Sequence, residues 1–258
     1  MLLAIDVGNT QTVLGVYDGE ALVHTWRIAT NKAHTADEVH MKIAPLLSSA
    51  GIAESQISGA ALASVVPALT EAWKRCIVGA FGIEPLVCSA AVAGALFETS
   101  YANPSEIGAD RIADAVAARA LYGAPVVVVD FGTATNIEVV DEQGCFIGGI
   151  IAPGFNASAD ALVSRATKLA AVDLVAPACA IGRNTAEAMQ SGIVFGEADR
   201  IDGLVARVFA QLGYTARVVA TGGLATTLAP LTKSVTEINP DLTLEGLRLI
   251  YTASAPVE

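Results

Sequence analysis

The chain opens with two short apolar runs, Leu2 to Ile5 and Val13 to Val16, on either side of the polar stretch Asp6-Val7-Gly8-Asn9-Thr10-Gln11-Thr12. That pattern predicts a β-hairpin. Ala21 to Thr30 alternates enough to add a third strand of a meander. Thr35-Ala36-Asp37-Glu38 then offers a helix start, with Val39, Ile43, Leu46 and Leu47 at helical spacing and a stop near Gly51. Gly59 to Val66 predicts a buried strand, and Pro67 a helix opening after it. Ile83 to Cys88 predicts a further short strand. A polar loop over residues 99–106 leads to Gly108-Ala109-Asp110-Arg111 and a helix that stops near Gly123.

From Val126 the opening pattern returns. Val126 to Val129 is apolar, Asp130-Phe131-Gly132-Thr133-Ala134 makes a turn, and Ile137, Val139 and Val140 form a return strand. Phe146 to Ile151 adds a third strand. The two Asp-x-Gly-x turns, each with a threonine, indicate an internal duplication. A helix carrying Ala161, Leu162, Ala166 and Leu169 follows, then a long helical stretch from about Asn184 to Leu212. Val218 to Gly223 is a strand entering a glycine turn, where backbone can approach a flat base or a ribose. No low-complexity linker divides the halves, so the boundary is expected inside the helix before Gly123.

Composition narrows the function classes. At 258 residues with 53% hydrophobic and 16% charged residues, the chain can bury a large core and is not disordered. A net charge of −11 argues against nucleic acid as the main partner, because phosphate-backbone binding needs Lys and Arg. No apolar run is long enough to span a membrane. The chain enters its first strand with no basic region or cleavage site, so the expected location is the cytoplasm. Cys76, Cys88, Cys145 and Cys179 lack CxxC spacing and read as buried thiols, not as a zinc site or disulfide framework. His34 and His40 have no third Cys or His near them in sequence and read as ordinary histidines.

The turns carry candidate chemistry. Gly8 lets backbone approach a ligand, successive N–H groups form an anion-binding concavity, and Asn9, Thr10 and Thr12 can add side-chain donors. Asp6 can hold a hydrated Mg²⁺ against phosphates. An ordinary hairpin turn uses the same residue types. Asp110 and Arg111 sit at a helix start, where an anion is favoured; a capping Asp beside a solvated Arg is the plainer alternative. A guanidinium close to Asp110 would also favour its ionised form at neutral pH.

Taken together, Asp6-Val7-Gly8-Asn9-Thr10, Ser64-Val65-Val66-Pro67, Gly108-Ala109-Asp110-Arg111, Asp130-Phe131-Gly132-Thr133-Ala134, Gly182-Arg183-Asn184-Thr185, Met189-Gln190-Ser191-Gly192 and Thr221-Gly222-Gly223 resemble the type III pantothenate kinase family, in the actin-like ATPase superfamily. Gln11 and Ala170 depart from the family pattern at positions without chemistry. The resemblance implies an α/β fold of two duplicated ribonuclease-H-like (actin-like ATPase) domains, each a mixed sheet begun by a β-meander and flanked by helices, with domains at 1–117 and 118–258. It implies phosphorylation of pantothenate by ATP, the first step of coenzyme A synthesis. Carried over, Asp6, Val7, Gly8, Asn9, Thr10, Gln11, Thr12 and Val13 look like the ATP phosphate site, with Thr133 a second phosphate contact. Asp110 looks like the general base. Tyr101, Gly108, Ala109, Asp110, Arg111 and Thr185 look like the pantothenate pocket. Asp130 looks like the ligand of a monovalent cation, K⁺ or NH₄⁺, beside the Mg²⁺ that accompanies ATP. The family works as a homodimer, without nucleic acid or membrane. Two other classes compete: a non-catalytic relative that binds protein or DNA, and another enzyme of the superfamily, such as a sugar kinase or a phosphatase acting on polyphosphate.

Overall fold

The computed structural model describes residues 1–166 and 169–254. The chain forms two compact units, one comprising Met1–Leu121 and the chain from Leu242 onward, the other Tyr122–Asp241.

In the first unit, β1 (Leu2–Val7), β2 (Gln11–Asp18) and β3 (Ala21–Ala29) make the expected antiparallel meander. β4 (Gly59–Ser64) and β5 (Leu86–Val87) extend it in parallel, giving the order β3-β2-β1-β4-β5. α1 (Ala36–Ser49) starts on a capping box in which Thr35 and Glu38 bond each other's backbone N–H groups. α2 (Pro67–Phe81) places Pro67 in its first turn, where a missing N–H costs nothing. Leu3, Ile5, Val7, Leu14 and Val16 pack with Val39, Ile43 and Leu47 of α1 and with Leu69, Trp73 and Ile77 of α2. α3 (Ala90–Ala93) and β6 (Glu98–Thr99) are short elements on the way to α4 (Ala109–Tyr122).

The second unit repeats the plan. β7 (Val126–Phe131), β8 (Ala134–Val140) and β9 (Cys145–Pro153) form an antiparallel meander. After α5 (Phe155–Arg165) come α6 (Thr185–Gln190), a π-helical segment (Ser191–Phe195) and α7 (Gly196–Leu212) without a break. β10 (Arg217–Thr221) pairs in parallel with β7, and after α8 (Ala225–Leu228) β11 (Glu237–Ile238) pairs in parallel with β10. These five strands run in the order β9-β8-β7-β10-β11, which repeats the order of the first unit's five. Even the irregularities match: the ladder shifts register between Val16 and Tyr17 in one meander and between Val139 and Val140 in the other. The duplication read from the turns thus extends to whole sheets.

Three findings differ from the sequence-based expectation. α5 stops at Arg165, so Ala166 lies beyond it; Thr167 and Lys168 fall outside the described residues. The last helix, α9 (Leu242–Ser254), joins the first unit and not residues 118–241. It packs on β1, β2 and β4. A row of small cross-strand partners, Gly15, Ala4 and Ala61, makes room for it, and Leu244 lies directly over Gly15. The first unit continues to Leu121, the end region of α4, four residues past the expected limit at 117.

Candidate functional site

Each unit carries one polar turn at the end of its first strand, and the two turns are built alike. In the first, Gly8 N–H donates to Gln11 O at 3.0 Å; in the second, Gly132 N–H donates to Ala134 O at 3.1 Å. The glycine N–H thus closes the turn in both. A side chain at Gly8 would lie 2.9 Å from Gln11 O, too close for any residue with a Cβ.

Around the first turn, Asn9, Thr10 and Gln11 are exposed while Asp6 and Gly8 are half-buried. Val7 is buried in the core, so its contribution to a ligand is its main chain. Thr12 differs from the expectation of a side-chain donor. It is buried, and its hydroxyl shares a hydrogen bond with that of Thr30 at 2.9 Å, which braces the meander. Val13 is half-buried beside it. One residue not anticipated from sequence joins the turn: Lys32 Nζ donates to Asn9 Oδ1 at 3.0 Å, putting an exposed ammonium there.

Asp110 lies in the first turn of α4, whose opening hydrogen bond runs from Ile112 N–H to Gly108 O. Its Oδ1 accepts the backbone N–H of Arg111 at 2.8 Å. Burial of the carboxyl pushes its pKa up, against the smaller downward pulls of that hydrogen bond and of the Arg111 guanidinium. From sequence only the guanidinium is visible; desolvation is the larger effect and sets the direction. Arg111 is 7% exposed, which excludes the solvated arginine of the plainer reading.

Gly108 and Ala109 line a cleft of about 400 Å³ between the ends of β4 and β5 and the start of α4, with Ser64, Val65, Cys88 and Ser89 on its walls. That volume suits a small molecule. Cys88 Sγ donates to Ala109 O at 3.5 Å. Its pKa is pushed up to about 12, by burial first and then by Asp110, Asp114 and Asp6. The first unit therefore brings Asp6 and Asp110 into one electrostatic neighbourhood around a neutral thiol. Tyr101, half-buried, is anchored by its backbone N–H on Thr99 Oγ1 at 3.0 Å.

In the second unit, Asp130 is cradled by glycines. A side chain at Gly222 would collide with Asp130 Oδ1, and one at Gly132 would stand 3.2 Å from Oδ2. Gly222 has φ +90°, a conformation that glycine alone adopts readily. Thr221, the register partner of Asp130, is 1% exposed, and its buried hydroxyl meets no hydrogen-bond partner among the described residues. Thr133 is exposed at the tip of the turn. Thr185 opens α6 and is exposed; the cap is Asn184, whose side chain accepts Glu187 N–H at 2.9 Å, so Thr185 is not needed for capping. Among the described residues, no group of three or more His, Cys, Asp or Glu could hold a metal ion by itself.

The type III pantothenate kinase family model matches residues 2–207. A type III pantothenate kinase of Geobacter sulfurreducens is 46% identical over 251 residues, covering 97% of this chain and 98% of that protein. One from Moorella thermoacetica is 45% identical over the same length, with the same coverage. Among solved structures, a Campylobacter jejuni protein described in the Baf family of transcriptional activators superposes with a TM-score of 0.63. It is 19% identical, with 97% of this chain and 98% of that one covered, a likeness that concerns the fold alone.

Proposed function

The chain belongs to the type III pantothenate kinase family, and from that premise we propose how its residues transfer a phosphoryl group from ATP to pantothenate in coenzyme A synthesis. Asp110 is the general base: it takes the proton of the pantothenate hydroxyl as the oxygen attacks the γ-phosphorus and ADP departs. The observation that carries this role is the placement of Asp110 beside the cleft, held by Arg111 N–H. A raised pKa suits a base, since proton acceptance near neutral pH improves as the pKa approaches it. Gly108, Ala109 and Tyr101 shape the pantothenate pocket, Arg111 offers its planar fork to the substrate carboxylate, and Thr185 completes the pocket.

The backbone of residues 6–13, with Asn9, Thr10 and Gln11 exposed, holds the ATP phosphates, and Thr133 makes the second phosphate contact. Phosphoryl transfer asks mainly for such positioning and for charge neutralisation. Asp6 is a fitting partner for Mg²⁺, which arrives with the nucleotide, keeps several waters and needs few protein carboxylates. The cradle at Asp130 fits a monovalent cation, K⁺ or NH₄⁺. It offers carboxylate oxygens beside glycine backbone, and the orphaned Thr221 hydroxyl is adjacent. When bound, the cations supply positive charge against the triphosphate.

A homodimer would cover Ile151 and Ile181, which stand 67% and 84% exposed in the second unit. Of the four free thiols, Cys76 and Cys88 are buried as expected, but Cys145 is half-buried and Cys179 exposed; free thiols support a reducing compartment, and hence the cytoplasm. No helix among the described residues is long and apolar enough to cross a membrane. The acidic balance supports a protein that works without nucleic acid.

The test is ADP release by purified protein with ATP, Mg²⁺ and K⁺, with and without pantothenate. Pantothenate-dependent release, lost on replacing K⁺ by Na⁺ and in Asp110→Asn, is the expected result. Release that ignores pantothenate would assign another acceptor, and no release from folded protein would favour the non-catalytic relative.

A further inference from the structure

We infer that the pair Glu197–Arg200, acting through Thr135, positions the second polar turn for the nucleotide, a role that rests on reading that turn as a phosphate site. Thr135 Oγ1 donates to Glu197 Oε1 at 2.9 Å and accepts from Arg200 Nη2 at 3.3 Å. Arg200 Nη2 also pairs with Glu197 Oε2 at 2.5 Å and donates to Pro153 O at 2.8 Å. One guanidinium thus grips β8 just after the turn and the end of β9, the strand paired with β8.

Those two grips bear directly on the turn. Pro153 is the cross-strand partner of Ala134, the first residue after Thr133. The next residue, Gly154, presses its backbone against the carbonyls of Gly132 and Thr133, with no room for a Cβ. Holding Pro153 therefore holds the floor of the turn, and holding Thr135 holds its exit.

Stability alone is a poor reason for this arrangement. Glu197 is 4% exposed and Thr135 1% exposed, Arg200 is half-buried over them, and Arg200 Nε has no partner among the described residues. A well-packed apolar cluster would hold the same elements at least as firmly. What charged, directional groups add is geometry, as a supporting shell does for a functional site. The π-helical segment at Ser191–Phe195 immediately precedes α7 and resets which side of the helix its first residues face.

The experiment compares Thr135→Val, Thr135→Ser and Thr133→Ala with the parent protein. It measures the Kd of a fluorescently labelled ATP, the KM of each substrate and the thermal midpoint. Thr135→Val should weaken nucleotide binding by about fivefold or more. Its pantothenate KM should stay unchanged, and Thr135→Ser, which restores the hydroxyl, should bind as the parent does. A merely structural role would lower the melting temperature and leave both constants of the folded fraction alone; that result overturns the inference, as would equal increases for both substrates. Where Thr135→Val does not fold, Arg200→Lys is judged by the same criteria, since it keeps the charge but loses the fork. If Thr133→Ala weakens nucleotide binding and Thr135→Val does not, only the positioning role falls. If neither does, the phosphate reading of the turn falls with it.

Discussion

The carboxylate of Asp110 folds back over Gly108, filling the space that a Cβ there would need. Gly108 has no positive φ, so conformational freedom is not why glycine stands there. The reason is room for the neighbouring acid. Gly108→Ala should therefore leave the backbone of α4 intact while pushing Asp110 out of place. We expect kcat to fall about tenfold or more, because ångström-scale misplacement of a reacting group costs that much or more. The melting temperature should change little. Steady-state kinetics beside a thermal melt checks both; an unchanged kcat would mean that Asp110 can do its work from another rotamer.

Burial raises the folded-state pKa of Asp110, and this fixes the sign of its pH dependence. The ionised carboxylate is less favourable in the folded chain than in the unfolded one. Wild-type stability therefore declines as pH rises from the ordinary carboxylate range through the raised folded pKa, then levels. Asp110→Asn cannot ionise and escapes this loss. It should be more stable than wild type at pH 7, with the difference vanishing in acid, while turnover is nearly abolished. Urea melts across pH test it, and equal pH dependence in the two proteins would refute it. The kcat/KM of the wild type should fall as pH drops through the same pKa.

Much of this was legible from sequence because the decisive signals are local. Both hairpins announce themselves by an apolar run ending in Asp, then Gly and Thr, and both exist with matching sheets. The plan of two duplicated units, each begun by a meander, follows from that repetition. Local signals also mislead. The strand expected over Ile83 to Cys88 is only Leu86–Val87, because Pro85 offers no N–H to a ladder. Contacts between distant segments leave no trace at all. Lys32 lies far along the chain from Asn9, and Glu197 and Arg200 look like an ordinary exposed pair until β8 is packed against them. The allegiance of α9 depends on small residues of β1, β2 and α4 that match it only in the folded chain.

Lys32 gives the first turn a positive charge that its own residues lack. Lys32→Ala should raise the ATP KM by about two- to fivefold at low ionic strength, the scale of one exposed charge. At about 1 M salt, where the screening length is ~3 Å, the two proteins should converge. The pantothenate KM should not move. A measured ATP KM equal to wild type in low salt would confine Lys32 to bracing Asn9.

Gly246 is where α9 crosses α4, and a Cβ there would run into the backbone of Ala113. Two effects of Gly246→Ala oppose each other. Alanine favours the helix by up to about 1 kcal/mol over glycine. Overpacking against rigid structure costs about 1–3 kcal/mol, and here the obstacle is main chain, which cannot rotate aside. The second effect should win, with α9 displaced from α4 and the hydrogen bond from Thr243 Oγ1 to Asp114 Oδ1, 2.7 Å, stretched or lost. The urea midpoint should drop accordingly. Thr243→Val, which removes the same hydrogen bond without added volume, should also destabilise, by about 1–3 kcal/mol. If Gly246→Ala proved as stable as wild type, α9 would have to tolerate a wider crossing, and the row of small residues beneath it would not be what assigns it to the first unit.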